Sequence, residues 1–100
     1  MYNPFTPCAA TAALNTAKLF STIRPDSTGR FWETVHHKQN GTEAVESGLT
    51  YYSARIWLLQ KQVHLALVFM GYSVSAANEA IKNLDSKKTA LENLKAIIKG

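Results

Sequence analysis

The sequence predicts an all-α fold, a small helical bundle built around a long central helix. Three observations carry that expectation. Apolar residues recur at spacings of three and four along most of the chain. Between Ile56 and Met70 they surround nearly the whole circumference of a helical cylinder, as in an element enclosed by others. The triplet Met70-Gly71-Tyr72 then reads as a helix stop, followed by two short amphipathic segments.

A chain of 100 residues is expected to form one domain, 1–100. Apolar residues make up 46% and charged residues 18%, so the charged share falls below the usual quarter or so. That balance points to apolar surface covered by a protein partner or by a second copy, making a homo-oligomer. The net charge of +4 and pI near 9.4 fit weak attraction to nucleic acid or to acidic proteins and establish neither. One cysteine, Cys8, excludes an internal disulfide framework and fits a reducing, cytoplasmic setting. The N-terminus has no basic segment leading into an apolar core, so no signal peptide is expected. The run from Ile56 to Tyr72 is interrupted by Gln60, Lys61, Gln62 and His64, and no membrane span is expected.

In chain order, Pro4 and Pro7 predict an extended arm over 1–8. An N-terminal helix is expected over 9–24, with Ala13, Ala17 and Phe20 on one face, Arg24 complementing its dipole and Pro25 ending it. Asp26 to Gly29 is a turn. From Arg30 to His37, Phe31, Glu33 and Val35 alternate with Trp32, Thr34 and His36, the pattern of a short strand. No mate for a strand is evident, so helix or irregular structure is expected there. Asn40-Gly41 is a second turn. Thr42 then caps a central helix over 43–70, with Glu43 and Glu46 in its first turns. Such a helix measures on the order of 40 Å, too long for this domain, so it either breaks near Gly48 or protrudes onto another chain. Two short helices fill 74–98. Ser73 or Ser75 starts the first, with Ala77, Ala80, Ile81 and Leu84 inward. Asp85 or Ser86 caps the second, with Leu91, Leu94, Ile97 and Ile98 inward.

The turn Val68-Phe69-Met70-Gly71-Tyr72, the Ala77, Ala80, Ile81, Leu84 helix and the Leu91, Leu94, Ile98 helix carry a resemblance. Leu67 to Ile98 resembles the three-helix ubiquitin-associated-like (UBA-like) fold, in particular the C-terminal domain of the bacterial Holliday-junction protein RuvA. The resemblance implies an apolar docking patch formed by Met70, Gly71 and Tyr72 with Ile97 and Ile98, gripping a motor ATPase in the one type and ubiquitin in the other. It covers about a third of the chain. The acidic-Ala pair common in the second helix is replaced by Ala76-Ala77, and the first two-thirds resembles neither RuvA's oligonucleotide-binding barrel nor its helix-hairpin-helix repeats.

Catalytic chemistry has little to stand on. His36-His37 point in different directions on either a helix or a strand, and no second pair lies at ligand spacing, so no metal site is expected. His64 sits on the apolar helix as an ordinary core or edge histidine. Glu33, Glu43, Glu46 and Glu79 fall in no acid-base motif, and no phosphate-cradling loop or nucleophile elbow occurs. No enzyme activity and no cofactor are expected. The eleven basic residues are spread along the chain, with only Lys87-Lys88 adjacent. Arg30-Phe31-Trp32 offers a cation and stacking faces to a single strand, though anchoring of the first half to the long helix explains the same residues more simply. Asn3-Pro4-Phe5 matches the tripeptide read by endocytic EH domains, a match short enough to recur by chance. Tyr51, Tyr52 and Trp57 are natural interface anchors if exposed together.

The expected function is therefore a non-catalytic protein–protein interaction module that docks on a larger partner, self-associates, or both. Small size and absence of motifs also suit a phage or mobile-element inhibitor of host machinery. The alternative, from the basic balance and the RuvA-like tail, is a nucleic-acid accessory protein in recombination or repair.

Overall fold

The computed structural model describes residues 6–38 and 40–99, with the backbone alone for Pro7. Helix α1 spans Pro7–Ala17, strand β1 Ser21–Pro25, β2 Trp32–His37 and β3 Glu43–Leu49. Helix α2 spans Tyr51–Phe69, α3 Val74–Ala80 with a 3-10 turn over Ile81–Asn83, and α4 Ala90–Lys99. Among the described residues the architecture is α+β, four helices and a three-stranded antiparallel sheet in the order β1-β2-β3. The expected all-α helical bundle is overturned.

The two turns read from the sequence are the cause of that difference. Both are present, and both close β-hairpins. The Asp26 carboxylate accepts from the N–H and hydroxyl of Thr28 at 3.0 and 2.6 Å. The Asn40 side-chain oxygen does the same for Thr42 at 3.1 and 2.6 Å, so Thr42 completes a turn and caps no helix. The mates missing for β2 are thus its immediate neighbours. Ser21–Pro25, expected as a helix end, pairs with it on one side, and Glu43–Leu49, expected as a helix start, pairs on the other. Thr22 and Ile23 are β-branched and fit a pleated surface better than a helix terminus.

The central helix expected over 43–70 is cut to Tyr51–Phe69, and its expected first part, up to Gly48, is strand and not helix. Gly48 has φ +79° and lies where the β2–β3 register slips, leaving Ser47 and Gly48 opposite Glu33 alone. Helix α2 then starts afresh at Tyr51, with Thr50 as its cap. The N-terminal helix begins earlier than expected, at Pro7 itself. In the first turn the missing N–H of proline has no helical partner to lose, and Thr6 caps the end. The remainder of the expected extended arm, including Asn3-Pro4-Phe5, lies outside the described residues.

All four helices share one starting device. Thr6, Thr50, Ser73 and Thr89 each accept, through the side-chain oxygen, the N–H three residues on, at 3.0–3.1 Å. At α4 the device is a capping box, since Glu92 reaches back to the Thr89 N–H. The cap is therefore Thr89, four and three residues past the Asp85 and Ser86 expected from the sequence. Helix α2 ends in a Schellman motif at Met70-Gly71-Tyr72. The Tyr72 N–H donates to the Leu67 carbonyl and the Gly71 N–H to that of Val68, both at 3.0 Å, with Gly71 at φ +102°.

Helix α2 is central, packing against α1, α3, α4, β1 and β2, while β3 packs chiefly on β2. The core gathers Leu14 and Ala17 of α1 with Val63, Ala66 and Leu67 of α2, joined by Ala77 of α3 and Leu94 of α4. The sheet is held at one level across all three strands. Arg24 of β1 donates to Glu33 of β2 at 2.6 Å, and Ser47 of β3 donates to the other oxygen of the same carboxylate at 3.2 Å. Among the described residues, no helix is long and apolar enough to cross a membrane.

Candidate functional site

The first turns of α2 form one wall of a cleft of about 280 Å³. Tyr51, Tyr52 and Arg55 line it as exposed residues, with half-buried Ile56 and Leu59 beneath them on the same face. Residues spaced at three and four along a helix share a face, which is why 52, 55, 56 and 59 converge. The opposite wall comes from the loop before α4, through Ser86, Lys88 and the start of the helix at Ala90.

That loop is held by one buried amide. Asn93 is 5% exposed. Its side-chain oxygen accepts from the Asp85 N–H at 2.8 Å, and its amide donates to the carbonyls of Asp85 and Thr89 at 2.9 and 3.0 Å, with a longer contact to Lys88 at 3.4 Å. The two carboxylates flanking the loop are engaged locally. Asp85 accepts from the Lys87 N–H at 2.9 Å, and Glu92 accepts from the Thr89 hydroxyl at 3.1 Å. Among the described residues no carboxylate lines the cleft, so Arg55 and Lys88 set its charge.

The tyrosines are 52% and 68% exposed. Tyr51 has Trp32 beside it, ring centroids 4.8 Å apart and tilted by 60°, and the Arg55 guanidinium 6.0 Å from its centroid. The pair Trp32–Tyr51 anchors the first hairpin to α2, the simpler role weighed for Trp32, while Arg30 and Phe31 remain exposed. Trp57, expected beside the tyrosines, is half-buried and lines different hollows. One lies toward Thr34, His36 and Lys61, another toward His64, Asn78 and Ile81. Tyr51 and Tyr52 come together; Trp57 lies apart from them.

The residues expected to form an apolar patch at the other end of α2 are largely occupied by the fold. Met70 is buried, Tyr72, Ile97 and Ile98 are half-buried against the core, and Gly71 is exposed as the helix terminator. A shallow groove of about 480 Å³ does lie nearby, floored by Phe20, Leu65, Val68 and Phe69 and bordered by His36, His37 and Lys38. The rings of Phe20 and Phe69 meet there at 5.9 Å.

The histidines do not converge. The Nδ1 of His36 donates to the Phe20 carbonyl at 3.1 Å, and burial followed by the nearby Lys61 charge pulls its pKa below the ordinary 6.5. Burial and Lys61 also lower His64, whose Nε2 is buried without a partner; Asn78 acts in the opposite sense without a well-formed hydrogen bond to that nitrogen. Among the described residues, no three His, Cys, Asp or Glu side chains gather as a metal site, and Cys8 is exposed.

In the sequence Tyr51 and Tyr52 stand out as contact residues, Lys88 shows only as one of a basic pair, and Asn93 carries no signal of its own. The Thr89–Glu92 capping box was a legible signal for the start of α4, and it would have separated the 85–89 loop from the helix. That the loop faces the start of α2 is a tertiary fact without a local signature. No protein-family model matches the chain, and neither a curated protein nor a solved structure shows significant similarity to it.

Proposed function

We propose that the chain is a non-catalytic protein-binding module that docks on its partner through the cleft at the start of α2. The supporting observation is the pair of solvent-exposed tyrosines beside Arg55 at an apolar cleft. Tyrosine and arginine around a small apolar recess are the side chains on which interface energy concentrates. A cytoplasmic setting, resting on the lone Cys8, and a role as a phage or mobile-element modulator belong to the same reading.

The test is a double variant, Tyr52→Ser with Arg55→Ser, compared with the parent chain by partner capture from lysate and by light scattering for native mass. The expected result is loss of the captured protein, or of the parent's dimer, with circular dichroism unchanged. Identical capture and mass in both proteins would overturn the proposal.

A nucleic-acid accessory role is the second reading, favoured by the exposed Arg30 and Phe31, a cation and a stacking face side by side in the chain. It requires affinity for single strands that falls steeply between low and moderate salt.

A further inference from the structure

We infer that the occupant of this cleft is an acidic linear segment of a partner protein, carrying an apolar side chain between its carboxylates. The inference rests on the cleft being a protein-docking site and goes on to name its ligand class. The lining supplies the argument. Ile56, Leu59 and Ala90, with the amide of Gln62 beside them, form its more buried part, and a recess of about 280 Å³ admits one or two side chains. Arg55 and Lys88 stand on opposite walls of it.

The ion pairs among the described residues are Arg24–Glu33 and Lys82–Glu79, so neither cation of the cleft is neutralised by the fold. Asp85 and Glu92, the carboxylates nearest Lys88 in the chain, are held by the Lys87 N–H and by Thr89. An apolar residue flanked by carboxylates would therefore meet both a complementary recess and two uncompensated charges. The arrangement suits a nucleic-acid strand less well. Tyr51 has Arg55 near one face and Trp32 against its ring, so it offers no free platform to a base. Two cations also make a short track for phosphates.

The test is a nitrogen-15 NMR titration of the full chain with three probes. The first is a pool of capped peptides Glu-Glu-X-Glu-Glu with X Phe, Leu or Trp. The second is the same pool with Gln for Glu, and the third is oligothymidylate. The expected result is saturable shifts at amides 51–62 and 86–90 with the acidic pool, and a dissociation constant raised about tenfold or more by Arg55→Glu with Lys88→Glu. Equal binding of the Gln pool would overturn the acidic ligand class and leave the docking site standing. Tighter binding of oligothymidylate at the same amides would overturn the protein partner. Silence of these amides with every probe would overturn both the ligand class and the docking site. Concentration-dependent mass lost in the same double variant would make a second copy the occupant and overturn the foreign segment.

Discussion

The C-terminal half of α2 with its cap, Val63–Met70, and the N-terminal half, Tyr51–Leu59, belong to one unbroken helix and meet opposite surroundings. In the first, Val63, Ala66, Leu67 and Met70 are buried within the cluster that α1, α3 and α4 close around them. In the second, only Ala54 is buried; Trp57 lies toward the sheet and Ile81, and the face carrying Tyr51, Tyr52 and Arg55 has only Trp32 and the 85–89 loop nearby. Both halves are rich in large apolar side chains, so hydrophobic content does not separate them. What separates them is which elements come to cover each turn. A helix with apolar residues all round needs covering on all sides, and here the covering gives out toward the N-terminal end, where the cleft lies.

The most severe way to break this contrast is to open the covered half. Leu67 is fully buried and among the largest such side chains. Leu67→Ala is expected to cost about 2–5 kcal/mol, combining lost burial with the cavity left behind. Urea unfolding followed by circular dichroism measures it, and a loss close to zero would mean that the cluster is not the core.

Next in size is the polar clamp that joins the two halves' surroundings. Asn93→Leu removes one accepted and two donated hydrogen bonds, with the longer contact to Lys88, and leaves the Asp85 N–H and nearby carbonyls to find water. A loss of about 1–3 kcal/mol is expected, with faster amide exchange confined to 85–89. Because Lys88 rides on this loop, the variant should also weaken binding at the cleft; Leu67→Ala, at temperatures where it stays folded, should not.

Gly71→Ala acts at the helix terminus. No atom stands within 4 Å of an added Cβ, so the strain is purely that of φ +102°. A cost of about 1 kcal/mol is expected, read as a lowered melting temperature. Acidification should give a smaller loss still. His36 and His64 hold pKa values below 6.5 in the fold, chiefly through burial. The unfolded chain therefore takes up protons first, and stability rises with pH across this window. The contribution is complete above pH 6.5 and is lost as pH falls toward the folded values, measured as a melting temperature lower at pH 5.5 than at pH 7.5. Both rings are partly exposed, and water screens the effect.

What the sequence showed of all this was local. The Asp26–Gly29 and Asn40-Gly41 turns and the Met70-Gly71-Tyr72 stop depend on bonds within a few residues and stand where the residues place them, and of the two candidate caps Ser73 and Ser75 it is Ser73 that serves. The error lay in joining them. Glu43–Leu49 has helix-tolerant residues and two glutamates suited to a first turn. Its pairing with β2 depends on a hairpin whose far side, Val35 against Val45, is set by register and not by propensity. The alternation from Phe31 to His36 is a strand signal with a turn at each of its ends, and those turns bring in its mates. The tyrosines of the cleft were visible as anchors, but Lys88 reaches them only through the fold, across the gap from α2 to the loop before α4.

The smallest effect belongs to the uncovered half. Tyr52 is 68% exposed, so Tyr52→Ser removes a ring that contributes little burial. Surface substitutions of this kind usually change stability by no more than about 0.5 kcal/mol. The expected result is an unfolding midpoint indistinguishable from that of the parent, together with weaker binding at the cleft. A loss of stability comparable to that of Gly71→Ala would show that the tyrosine is part of the packed structure. The two halves of α2 would then differ in degree alone, and the start of the helix would have no surface to spare for a partner.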